Sequence, residues 1–116
     1  MKNKIAIVIA LLGLLTCSCR YRQVKDESPA VNTVKPGEKF RINLPENHTT
    51  GYTWQLSQDY DNTVLTQMNE VWHGNEKGVD FNLLGGAAGQ TTLTFVNRKY
   101  TDTSDVKHFI VKIGAN

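Results

Sequence analysis

The sequence predicts a small all-β domain, an antiparallel sandwich or barrel, on three observations. Short stretches of alternating apolar and polar residues recur along its 116 residues. Clusters of Gly, Pro, Asn and Asp separate them, and no stretch keeps a long helical period.

Lys39–Leu44 places Phe40, Ile42 and Leu44 on one face of a half-buried strand, which Pro45 ends. A polar turn, Asn47-His48-Thr49-Thr50-Gly51, runs without a spacer into Tyr52, Trp54 and Leu56, which alternate in the same way. In Val64–Trp72 the residues Leu65, Met68 and Trp72 have helical spacing, yet the β-branched residues and neighbouring strands favour an irregular strand pair. Val79, Phe81 and Leu83 alternate again before the hairpin turn Gly85-Gly86-Ala87-Ala88-Gly89. Thr91, Leu93 and Phe95 then oppose Thr92, Thr94 and Val96 in a β-branched run that favours a strand. The last strand, Lys107–Ile113, turns Phe109, Val111 and Ile113 inward. Asp59–Asn62, His73–Gly78 and Asn97–Asp105 read as polar connecting loops.

Residues 1–18 read as a secretory signal, with Lys2 and Lys4 before an apolar run, Ile5–Leu15, too short to span a membrane. The run ends in Leu14-Leu15-Thr16-Cys17-Ser18-Cys19, which resembles the bacterial lipobox. Ser18 before Cys19 suits the peptidase better than Thr16 before Cys17, so Cys19 is the expected lipidated, first mature residue. The alternative is an ordinary cleaved signal with two incidental cysteines. Residues 19–30 are polar and aperiodic, as in a flexible tether, and residues 31–116 suffice for one small domain. This places the protein in a bacterial cell envelope, held to a membrane through the lipid alone.

Two of the thirteen Lys and Arg residues lie in the signal, leaving eleven cations against eleven Asp and Glu. So balanced a charge argues against nucleic acid, whose binding normally needs a basic surface. No cysteine follows Cys19, which excludes a disulfide framework, a thiolate metal site and a cysteine nucleophile in the domain. His48, His73 and His108 match no metal-ligand spacing, and Ser28, Ser57 and Ser104 sit in no nucleophile elbow. Asp59 with Asp61 and Asp102 with Asp105 flank turns, where a solvated Asx-turn accounts for them. Gly85, Gly86 and Gly89 precede no helix that could cradle a phosphate. No enzyme, cofactor or metal is therefore expected.

What remains is recognition. Asn47-His48-Thr49-Thr50-Gly51-Tyr52, with Trp54 beyond, resembles the Asn-Pro-Thr-Thr-Gly loop and aromatic strand of the chagasin-type inhibitors of papain-like cysteine proteases. Gly74–Gly78 falls where that family has a glycine-rich second loop, Phe81 lies eight residues before Gly89 as in the family's strand and turn, and Arg98-Lys99-Tyr100 matches its Arg-Pro-Trp loop. The ending Phe109–Ile113 fits its last strand.

The resemblance implies an Ig-like antiparallel β-sandwich whose three loops lie side by side and enter a protease cleft. The implied contacts are Asn47, His48, Thr49, Thr50 and Gly51 in the first loop, Gly74 in the second, and Arg98, Lys99 and Tyr100 in the third. It further implies a reversible, cofactor-free inhibitor that works as a monomer against a papain-like cysteine protease. His48 and Lys99 stand where the family has prolines, Glu76 and Lys77 where it has glycines, and Tyr100 where it has tryptophan. Those departures motivate an alternative, a surface-anchored Ig-like interaction module without inhibitory activity. A proline at position 48 would be expected to stiffen the loop and tighten binding.

Overall fold

Alternation along the chain resolves into two facing sheets. The computed structural model describes residues 21–114, so the expected signal and Cys19 lie outside the described residues. The strands are β1 (Arg22–Gln23), β2 (Val31–Val34), β3 (Lys39–Leu44), β4 (Thr53–Leu56), β5 (Leu65–Trp72), β6 (Val79–Gly85), β7 (Gly89–Lys99) and β8 (Asp102–Ile113). One sheet has the order β1-β3-β6-β5 and the other β2-β8-β7-β4. The result is an Ig-like sandwich rather than a closed barrel. Two edge pairings, β1 with β3 and β2 with β8, are parallel.

The core lies between the sheets, where the alternation placed it. Phe40, Ile42 and Leu44 of β3 and Phe81 and Leu83 of β6 face Leu93 and Phe95 of β7 and Phe109, Val111 and Ile113 of β8, all buried. Burying each such side chain contributes roughly 1.5–3 kcal/mol. Phe81, Phe95 and Phe109 meet edge to face, with ring centroids 4.8 Å and 5.7 Å apart, and join one sheet to the other.

Three segments differ from the sequence expectation. The described part of the expected tether, residues 21–30, is laid onto the sandwich: Arg22 and Gln23 pair with Phe40 and Arg41, Val24 is buried in the core, and the Ser28 amide donates to the His108 carbonyl. One apolar side chain and a few backbone bonds suffice to dock it. Within Val64–Trp72, Leu65–Trp72 form one strand, not a pair, with a bulge between Gln67 and Asn69. The extra residue changes the phase of the alternation and produces the helix-like spacing. The expected loop 97–105 is a tight hairpin in which β7 and β8 continue to Lys99 and Asp102.

Candidate functional site

Strand register brings three connections to one end of the sandwich. Val79 pairs with both Leu44 and Trp72, and Arg98 pairs with Thr53. Loop 1 (45–52), loop 2 (73–78) and loop 3 (the Tyr100–Thr101 turn) therefore leave the sheets side by side. All nine residues expected from the sequence to make contacts fall in or next to these connections.

Loop 1 is a single 3-10 turn, His48–Thr50, that binds itself. Asn47 caps it, its Oδ1 accepting from the Thr49 amide at 2.9 Å and the Thr49 hydroxyl at 2.6 Å. The Thr50 hydroxyl donates to the Asn47 carbonyl at 2.8 Å. Both threonine hydroxyls are thus engaged within the turn. Gly51 closes it at φ 81°, a conformation that glycine adopts without steric cost.

Beneath the turn sits a residue that sequence reasoning missed. Glu46 is buried, and its carboxylate accepts from the Trp54 amide at 2.6 Å while lying 2.7 Å from His48 Nε2. Backbone carbonyls of the same segment hold both tryptophans: Trp54 Nε1 donates to Pro45 at 2.7 Å and Trp72 Nε1 to Glu46 at 3.2 Å. Trp72 in turn carries the His48 ring, stacked at 3.8 Å between centroids. Glu46 follows Pro45 in a polar stretch, and only a period-2 count from Leu44 would mark it as inward-facing.

Loop 2 joins this arrangement through Asn75, whose Oδ1 accepts from the His48 amide at 3.0 Å. Its own shape depends on two glycines at positive φ, Gly74 (102°) and Gly78 (75°), with the Gly78 amide donating to the Gly74 carbonyl at 2.9 Å. A Cβ on Gly78 would stand 2.2 Å from the Leu44 carbonyl oxygen, so only glycine fits there. At the loop's base Asp80, buried on the outer face of its sheet, lies 2.8 Å from His73 Nε2 and accepts from Asn43 Nδ2 at 2.8 Å.

Loop 3 leans on loop 1 twice. The Lys99 stem passes over Gly51, so that a Cβ there would be 3.1 Å from Lys99 Cε. The Tyr52 hydroxyl donates to Asp102 Oδ2, and that hydrogen bond, with burial and the carboxylate charge behind it, raises the phenol above its ordinary range. Tyr100 stands at the hairpin tip, 90% exposed and at φ 54°. Among the described residues no carboxylate forms an ion pair with Arg98, because Asp102 is turned to Tyr52 instead.

A groove runs down the side from loop 1, between the sheet edges β4 and β5, lined by Glu46, Thr53, Gln55, Glu70 and Trp72 among others. Glu70, though exposed, is pushed up by partial desolvation at the groove and, after that, by the charge of Glu46. Among the described residues no group of three His, Cys, Asp or Glu side chains could hold a metal ion. What the end of the molecule offers is a braced, protruding edge with an aromatic tip.

Comparison with known proteins decides the family. Residues 33–113 match the model described as the chagasin family peptidase inhibitor I42. The chain belongs to the chagasin family of peptidase inhibitors. As a chagasin-family protein it is an inhibitor and not an enzyme. Among solved structures, that of a cysteine protease inhibitor from Entamoeba histolytica is similar, with a TM-score of 0.66 at 17% identity over 81% of this chain and 95% of that one. At that identity the likeness shows the fold, the Ig-like sandwich seen here. No curated protein matches. The three connections of this chagasin-family domain are rooted on both sheets, loop 2 on one, loop 3 on the other, and loop 1 crossing between them.

Proposed function

We propose that this protein reversibly inhibits papain-like cysteine proteases as a monomer, by inserting the three loops into the active-site cleft. The observation that carries the proposal is the bracing of those loops into one edge, through Asn75, Trp72 and Glu46 on one side of loop 1 and Lys99 and Asp102 on the other. An edge already ordered loses little conformational freedom on binding. Thr49, Thr50 and Gly51 are small enough for the main chain to approach a narrow cleft, with Arg98 and Tyr100 of hot-spot residue types beside them. A 3-10 turn differs from the extended strand a protease must hold to cleave, which agrees with an inhibitor that survives its encounter.

The test is titration of the purified protein against a panel of papain-like proteases. Inhibition should reach completion near equimolar ratio, with the inhibitor recovered intact. Full protease activity at micromolar inhibitor would overturn the reading, and capture of a non-protease partner would then favour an interaction module.

We also infer, from Leu14–Cys19, that Cys19 carries a lipid that holds the protein in a bacterial cell envelope. Cys19→Ala should move it to the soluble fraction, and continued membrane association would contradict the inference.

A further inference from the structure

The chain enters the sandwich at the pole opposite the inhibitory edge. β1 runs parallel to β3, and β3 runs from Lys39 toward loop 1. Tyr21 therefore lies at the Lys39 end, its ring 4.5 Å from the Arg41 guanidinium and 5.9 Å from the Lys39 ammonium. The turn Lys35–Glu38 shares this pole, because the Gly37 amide donates to the Gly85 carbonyl and the Gly85 amide to Glu38. So does the end of β8, where Ile113 pairs with Val34. The six residues of β3, at about 3.3 Å each, separate this pole from the root of loop 1 by roughly 20 Å.

Charge is distributed unevenly over the pole. Arg22, Lys35, Lys39 and Lys112 are exposed on the side of β1, β2, β3 and β8, where the chain enters. Arg22 is matched by Glu38 at 3.0 Å, while among the described residues the three lysines have no ion-pair partner. The acids Asp59 and Asp61 lie on the crossing from β4 to β5, at the other sheet edges.

We propose that this lysine-bearing pole rests on anionic lipid headgroups, so that the anchored inhibitor presents its three loops away from the bilayer. The proposal rests on the reading of Cys19 as the lipidated residue. Only Arg20 separates Cys19 from Tyr21 in sequence, and the residues that would make a long arm are committed to the fold through Gln23, Val24 and Ser28. With one residue between them, Cys19 and Tyr21 are two residue steps apart, about 7 Å at full extension, too little for the domain to swing over. The diacylglyceryl group of a lipobox cysteine holds the chain to the membrane, and a basic surface beside it adds an attraction that orients the domain on anionic headgroups. Exposed lysines within about 8 Å of the headgroups fall inside the screening length of physiological salt.

The test uses the full-length protein made in bacteria, taken from the membrane fraction and reconstituted in phosphatidylglycerol vesicles containing nitroxide-labelled lipid. A fluorophore is placed at Ala87→Cys, in the turn at the proposed membrane pole, or at Tyr100→Cys, at the tip of the inhibitory edge. The Ala87 label should be quenched several-fold more than the Tyr100 label. That difference should shrink on phosphatidylcholine vesicles, in high salt, and in a Lys35→Glu, Lys39→Glu, Lys112→Glu variant. Equal quenching at the two sites, or stronger quenching at Tyr100, overturns the orientation. A difference unaltered by the lysine reversals overturns the headgroup contact. Recovery of the protein only in the soluble fraction defeats the anchor itself, and the proposal with it.

Discussion

His48 lies flat against Trp72, with ring planes 10° from parallel, although one residue belongs to loop 1 and the other ends β5. The same histidine meets Glu46 through its ring and Asn75 through its amide. A residue that looked like the loss of a stiffening proline therefore makes three contacts, to Glu46 within loop 1, to Trp72 at the end of β5 and to Asn75 of loop 2.

The expectation that His48→Pro tightens binding is reversed on this geometry. Proline has neither the amide that Asn75 accepts from nor a ring that stacks and reaches Glu46. Losing a hydrogen bond and a stacked pair costs about 1.5–2.5 kcal/mol. The inhibition constant of His48→Pro should rise roughly tenfold or more; an unchanged or lower value counts against the clasp.

Tyr100 offers a way to separate stability from binding. Its left-handed backbone is unfavourable for a side chain by about 1–2 kcal/mol, and glycine relieves it. The variant Tyr100→Gly should unfold at equal or higher denaturant concentration while inhibiting more weakly by about 2 kcal/mol. A parallel fall in both quantities would show that the tyrosine packs rather than binds.

The two glycines of loop 2 differ in what surrounds them. An alanine Cβ at Gly74 meets nothing within 4 Å, whereas at Gly78 it collides with the Leu44 carbonyl. Gly74→Ala should cost only backbone strain, about 1–2 kcal/mol, and Gly78→Ala about 2–4 kcal/mol. Equilibrium unfolding of the pair gives the comparison.

Glu70 gives the stability curve a pH-dependent component. Partial desolvation and the nearby Glu46 raise its carboxyl, so the folded chain holds this proton more tightly than the unfolded chain does. That contribution favours folding below the ordinary carboxylate range and is lost as pH rises through the folded value. Glu70→Gln should therefore raise the melting temperature at about pH 7 and leave it nearly unchanged at about pH 4. A variant that is destabilised at neutral pH would contradict the sign.

Strands whose one face is buried were legible in the sequence, since Phe40 to Leu44 and Phe109 to Ile113 alternate as their burial does. The Asn47–Gly51 turn was legible because cap and glycine stand at its ends. Asp80 and Asn82 were not, because Arg41, Asn43, Asn69 and His73 cover their outer face with hydrogen bonds and charge rather than apolar area. Val24 escaped notice as one apolar residue in a polar stretch, too little for any period to show. Within the candidate site, the exposed loop residues carried motifs, whereas the residues that brace them, Glu46, Trp72, Asn75 and Asp102, act through pairings across 2 to 50 positions.

The aromatic contact of Phe81 with Phe95 also sets a gauge. Loop 2 is rooted on the sheet of Phe81 and loop 3 on that of Phe95 and Phe109, so the width of a benzene ring fixes how far apart those two prongs stand. A thinner side chain at position 95 would be expected to narrow the fork, as far as the sheets relax into the space, without touching any residue on it. Under the proposed insertion, fit to a cleft of given breadth then depends on the core as well as on the contact residues.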